Sequence, residues 1–132
     1  MYDLIVCNPP YFTHSLKSSD PKRTIARHND SLPHEEIMKG VSKLLKPDGI
    51  FAVILPVKEG KQMIENSISH QLNVRRILNV QSYPGKEPHR MLIEFTKYKR
   101  AYTENTLCIE KADRSDYSDD YKDLTQDFYL NF

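Results

Sequence analysis

Short apolar runs and amphipathic stretches alternate along this chain, and their periods predict its elements. Tyr2–Cys7 carries the run Leu4-Ile5-Val6-Cys7, the length and character of a short buried strand. A long polar loop from Phe12 to Leu32 follows. Pro33, Glu35 and Glu36 then open a helix, since proline and acids suit a first turn. Ile37, Met38, Val41, Leu44 and Leu45 recur at helical spacing as its apolar stripe, Lys43 and Lys46 suit its carboxyl end, and Pro47-Asp48-Gly49 is a turn. Residues Ile50 to Leu55 are apolar without alternation, which predicts a strand covered on both faces and stopped by Pro56.

A second helix is expected over about Lys58 to Gln71, with Met63, Ile64, Ile68 and Leu72 facing inward. Val74 to Val80 reads as the next strand, and the turn Tyr83 to Pro88 feeds another at Met91 to Phe95. No helix fits between those two strands, so they should pair antiparallel. Thr106 to Glu110 predicts a weaker strand. Residues 113–123 are too polar to hold a core, whereas Leu124, Phe128, Tyr129, Leu130 and Phe132 give the tail an apolar end expected to dock. The domain reading is therefore 1–112 as a folded body and 113–132 as an acidic tail.

The candidate chemistry lies at Asn8-Pro9-Pro10-Tyr11, directly after the first apolar run. Two prolines fix φ near about −65° and remove two N–H donors, leaving nearby carbonyls able to accept from a planar amine or amide. Asn8 adds a side-chain acceptor, and Tyr11 can lie flat against a ring. Such a string is also an ordinary proline-rich turn. Its position at the carboxyl end of an apolar strand, where open α/β sheets bind ligands, favours the binding reading.

Composition narrows the class. At 132 residues and 39% hydrophobic the chain is one domain, with no apolar run near the ~20 residues of a membrane span. No secretion signal opens it, so a cytoplasmic protein is expected, with Cys7 and Cys108 as buried free thiols. No C-x-x-C or H-E-x-x-H spacing suggests a metal site. The net charge of +1 is unevenly placed: residues 1–112 hold 17 Lys and Arg against 12 Asp and Glu, residues 113–132 hold 2 against 6. A basic body fits a nucleic-acid substrate, and it fits equally an acidic tail packed over it.

The strand ending in Asn-Pro-Pro-Tyr resembles motif IV of the amino-group methyltransferases that use S-adenosylmethionine. Ala26-Arg27-His28-Asn29-Asp30-Ser31-Leu32, Lys46-Pro47-Asp48-Gly49-Ile50-Phe51, Ile54-Leu55-Pro56 and Lys86-Glu87-Pro88-His89-Arg90 extend the likeness. Together they resemble the carboxyl-terminal half of the tRNA adenine-N6 methyltransferase family acting on the adenine beside the anticodon of a valine tRNA. The resemblance implies an α/β fold, the C-terminal half of a Rossmann-like class I methyltransferase sheet, with strands 4 to 7 present and the last pair antiparallel. It implies S-adenosylmethionine as cofactor and tRNA as partner. The glycines, Gly40, Gly49, Gly60 and Gly85, form no G-x-G-x-G, so the N-terminal cofactor-binding half of that family has no counterpart here.

By that resemblance Asn8, Pro9, Pro10 and Tyr11 are catalytic, with the Asn8 side chain and the Pro9 carbonyl accepting from the adenine amine and Asn8 also meeting the cofactor. Tyr11 and Phe12 would stack on a flipped base, and Arg27 and His28 would lie over the site. Read as residues alone, Arg27 and His28 are equally a solvated loop pair. Arg75 and Arg76 read as surface, Asp30 and Ser31 as helix-capping residues, and Lys97-Tyr98-Lys99-Arg100 as either a phosphate grip or a basic strand end. A protein-glutamine N5-methyltransferase, or a non-catalytic half-domain that binds RNA or a partner, remains an alternative function. Tyr2–Cys7, without its family neighbour strand, is expected to be an exposed edge that self-associates or pairs with the missing half.

Overall fold

The computed structural model describes residues 1–10 and 31–128, with the side chains of 31–33 left aside. Five strands form one sheet: β1 (Tyr2–Cys7), β2 (Leu45–Pro56), β3 (Asn73–Gln81), β4 (Arg90–Thr96) and β5 (Thr103–Cys108), in spatial order β1-β2-β4-β3-β5. β1 and β2 run parallel, joined through α1 (Ser31–Leu44). Then α2 (Val57–Ser67) and one 3-10 turn, Ile68–His70, lead to β3. The Tyr83 turn reverses the chain into β4, which slots antiparallel between β2 and β3. β5 lies parallel to β3 at the far edge. The expected antiparallel pair is thus β3 with β4, for the reason anticipated: eight residues, 82–89, leave no room for a crossover helix.

Both long helices cover one face. From β2, Phe51, Val53 and Leu55 point into it, and from β4 Met91, Ile93 and Phe95. Phe51 and Phe95 face each other across the pair with ring centroids 5.9 Å apart. Met38 and Val41 from α1 and Met63 from α2 close the core. α2 comes so near β4 that a Cβ on Gly60 would stand 2.9 Å from Met91 Sδ. Gly49 is buried where a Cβ would meet Leu45 and, at 3.0 Å, the Tyr2 carbonyl, so the entry of β2 passes close to β1.

Several expectations are corrected. β2 begins at Leu45 rather than Ile50, and it is not covered on both faces: Phe51, Val53 and Leu55 are buried while Ile50, Ala52 and Ile54 are only half-buried. An unbroken apolar run does not distinguish a doubly covered strand from one whose second face is left open. Leu44 and Ile68, placed in the helical stripes, are exposed; helical phase is lost where α1 passes into β2 and where α2 tightens into the 3-10 turn. The last strand is Thr103–Cys108, earlier and more polar than Thr106 to Glu110. Cys7 and Cys108 are half-buried rather than buried.

Within the acidic stretch a third helix, α3 (Asp119–Thr125), forms without a single buried residue. Hydrogen bonds hold it in place of a core. Ser118 caps it by accepting from the Tyr121 N–H at 3.1 Å while its hydroxyl donates to the Cys108 carbonyl. Asp119 and Asp120 sit in the first turn, where the helix dipole favours acids. Leu124 is largely exposed although it reaches the groove described below, and Phe128 is 84% exposed, so the apolar end is undocked as far as Phe128. Tyr129, Leu130 and Phe132 lie outside the described residues. No helix among the described residues is long and apolar enough to cross a membrane.

Candidate functional site

β1 pairs with β2 as far as Cys7, which stands opposite Val53, and the chain then leaves the sheet at Asn8. Pro9 is buried and Pro10 exposed; neither can donate to a ladder, which ends the strand. Asn8 is exposed, and among the described residues its side chain makes no hydrogen bond. It is therefore set at the carboxyl end of a parallel strand with its amide available to a ligand, the position at which open α/β sheets bind.

Asn8 stands at the margin of a groove of about 370 Å³ on the sheet face opposite the two long helices. Val6, Ala52, Ile54, Leu78 and Leu92 make its apolar floor, and Leu124 of α3 bounds it. Glu94 is the one acid lining it, and that carboxylate is held by two guanidiniums: Arg75 donates to one oxygen and Arg76 to the other at 2.7 Å. The reason is local. The β3 register slips between Val74 and Arg76, so two residues of β3 oppose one of β4 and both arginines reach the same partner. Arg75 and Arg76 are accordingly the walls of an ion pair across β3 and β4, each committed to charge-assisted bonds.

The thiol beside Asn8 is free and half-buried. Burial pushes the Cys7 pKa up, which keeps the sulfur protonated at neutral pH. At the far edge Cys108 Sγ donates to Gln81 Oε1 at 2.9 Å. No cluster of metal-ligating side chains occurs among the described residues. Of the site residues read from sequence, Asn8, Pro9 and Pro10 stand together at the end of β1; Tyr11, Phe12, Arg27 and His28, with Asp30, lie outside the described residues.

Sequence reasoning missed a neighbour at the same end of the sheet. Pro56 of β2 pairs with Arg90 of β4, which pairs with Val80 of β3, so the 82–89 turn rises at the end of the sheet where Asn8 lies. There the Tyr83 ring has the Arg114 guanidinium 4.6 Å from its centroid and Lys86 Nζ at 5.9 Å. Lys86 is legible beside Tyr83; Arg114 comes from beyond β5, and no local signal announces it.

The resemblance implies S-adenosylmethionine, and Asn8, the residue expected to meet it, is exposed at the end of β1 and lines the groove. Among the described residues the groove offers no other carboxylate than the committed Glu94, and no glycine lines it. The described residues therefore do not by themselves fit the nucleoside end of that cofactor.

No family model matches the chain. Curated relatives do. A tRNA1(Val) (adenine(37)-N6)-methyltransferase of Bacteroides fragilis (strain YCH46) is 48% identical over 129 residues, covering 98% of this chain and 54% of the relative. The protein of the same name from Aliivibrio salmonicida (strain LFI1238) is 40% identical over 131 residues, 99% of this chain and 55% of the relative. Among solved structures, a predicted O-methyltransferase from Agrobacterium tumefaciens superposes with a TM-score of 0.65 at 16% identity, over 95% of this chain and 51% of that one. The chain spans about half the length of the curated relatives it matches. Its sheet is that of a Rossmann-like methyltransferase fold, and along nearly its whole length its sequence is similar to part of a tRNA1(Val) adenine-N6-methyltransferase.

Proposed function

We propose that this chain is the acceptor-side portion of an S-adenosylmethionine-dependent methyltransferase that modifies N6 of an adenine in tRNA, in the cytoplasm, the rest of the cofactor site coming from the half that the relatives have and this chain does not match. The observation that carries the proposal is Asn8-Pro9-Pro10 at the carboxyl end of β1, in a chain 48% identical to an enzyme of that name. S-adenosylmethionine supplies the methyl group. The chain's own residues orient the acceptor: the Asn8 side-chain oxygen and the Pro9 carbonyl accept from the adenine N6 amine and stabilise positive charge developing on that nitrogen. Tyr11 and Phe12 stack on the extruded base, while Arg27 and His28 contact the base or its phosphate. No strong base is needed, since solvent takes the proton after transfer.

The open groove supports the second part of the proposal. Val6 and Leu4 are 72% and 57% exposed on β1, an edge strand. A longer partner segment covering this face, or a second copy pairing with β1, would remove that apolar surface from water.

The test joins this chain to the unmatched part of the Bacteroides fragilis relative and assays a tRNA transcript for N6-methyladenosine by mass spectrometry. The chimera should methylate, and Asn8→Ala should lower turnover by ~10²–10³ with cofactor affinity within a few-fold. A folded chimera that binds cofactor but leaves tRNA unmodified refutes the substrate; near-normal turnover in Asn8→Ala refutes the role of the motif. Methylation of a glutamine-containing peptide instead would favour the protein-glutamine alternative.

A further inference from the structure

Between Glu94 and Glu104 the chain reads Phe-Thr-Lys-Tyr-Lys-Arg-Ala-Tyr-Thr, three cations and two tyrosines with no acid among them. The fold gives this stretch a defined task. β4 lies on one side of β3 and β5 on the other, so residues 97–102 must pass beneath the start of β3 in six residues. Three hydrogen bonds pin the crossing: Thr96 Oγ1 donates to the Tyr98 carbonyl at 3.1 Å, Asn73 Nδ2 to the Lys97 carbonyl at 3.4 Å, and Lys97 Nζ to the Leu45 carbonyl at 2.6 Å. Lys97 is thereby spent on the fold and removed from the phosphate-grip reading.

What remains outside is Lys99 and Arg100, both exposed, flanked by Tyr98 and Tyr102 at 46% and 56% exposure. Neither cation makes an ion pair among the described residues, although Glu94, nearby in sequence, holds two arginines of its own. Arg100 Nε donates to the neighbouring Ala101 carbonyl, which steadies the side chain without neutralising it. Exposed cations interleaved with exposed aromatic rings match a polyanion that also presents flat faces, which is the chemistry of nucleic acid rather than of an acidic peptide.

The position matters too. Asn8 is level with Ile54, one step past the Cys7–Val53 pair, whereas Thr96 is level with Ile50, one step past the Phe51–Phe95 pair. The turn therefore starts about 13 Å, four residue steps, toward the opposite end of the sheet from Asn8. We propose that the 97–102 turn is a second contact for tRNA, remote from the reacting base, in which Lys99 and Arg100 bind backbone phosphates and Tyr98 and Tyr102 pack on exposed bases or sugars. The proposal rests on the tRNA reading above and adds a site to it. A substrate held at both ends of the sheet has a second anchor that a single extruded nucleotide lacks.

The test uses the 132-residue chain and a tRNA transcript labelled with fluorescein, with anisotropy read at several salt concentrations. Lys99→Ala/Arg100→Ala should weaken binding several-fold and flatten the plot of log K against log salt by about 1.4–1.8, the share of two phosphates. Tyr98→Ala/Tyr102→Ala should weaken binding with the salt slope unchanged. All four side chains are exposed, so circular dichroism should match the parent. Unaltered affinity and slope in the Lys99/Arg100 variant overturns the turn's role while tRNA binding itself stands. A parent chain that binds no tRNA at low salt overturns the tRNA reading together with this site. Competition by polyglutamate as effective as unlabelled tRNA, charge for charge, would reassign the turn to acidic peptides and refute the RNA contact.

Discussion

Cys7 and Asn8 are consecutive, yet the sheet treats their side chains differently. Cys7 is the last paired residue of β1 and is half-buried; Asn8 is the first beyond it and exposed. The raised Cys7 pKa has a definite sign. The folded state disfavours the thiolate, so this group contributes nothing to pH dependence below the thiol's unfolded pKa, and stability falls as pH rises from there through the folded value. The expected outcome is alkylation of Cys7 by iodoacetamide more slowly in the folded chain than in urea at the same mildly alkaline pH, read by mass spectrometry. Equal rates would mean that burial does not restrain the thiol. At Asp116 the sign is reversed: a hydrogen bond from Lys122, then one from the Tyr117 amide, holds the carboxyl below its ordinary value. That contact persists on mild acidification and is lost only as pH falls through the lowered pKa, which a carboxyl carbon titration by NMR would register.

At the scale of elements, α3 and the β2–β4 pair are held by different forces and should fail differently. α3 has no buried residue and depends on Ser118, so Ser118→Ala should cost about 1 kcal/mol of local stability. It should speed amide exchange across Asp119–Thr125 while leaving β2 and β4 protected. Phe95, by contrast, is fully buried against Phe51. Phe95→Ala removes a core ring and should cost about 3–5 kcal/mol, measured as a lower urea midpoint for the whole chain. A Ser118→Ala variant that unfolded globally, or a Phe95→Ala variant that did not lose stability, would contradict this division.

For the whole molecule the governing fact is a sheet with its two long helices on one face and an edge strand whose outward side chains are apolar. Tyr2, Leu4 and Val6 are all more than half exposed on β1. An edge of this kind is a template for pairing with another chain. The 132-residue chain should therefore show a light-scattering mass above that of one copy at micromolar concentration, and Val6→Lys should return it to a monomer by placing a charge on the pairing face. A monomeric parent with rapidly exchanging β1 amides would count against the edge.

Much of this protein was determined by local pattern. The strand before Asn8, the helical stripe of Met38 and Val41, the strand at Val74 to Val80 and the antiparallel return at Met91 follow from period and from loop length, which are properties of neighbouring residues. The Asn-Pro-Pro string was legible for the same reason, because proline acts on its own backbone. Tertiary structure alone decided which face of β2 is covered, since an apolar run carries no record of what packs on it. It decided that Arg75 and Arg76 share Glu94, because a register slip sets that pairing across strands. It decided that Lys97 turns inward to Leu45 while Lys99 and Arg100 stay outside, and that Arg114 lies over Tyr83. Each of these joins residues far apart in the chain, and the free energy that selects them is that of the assembled sheet rather than of any segment.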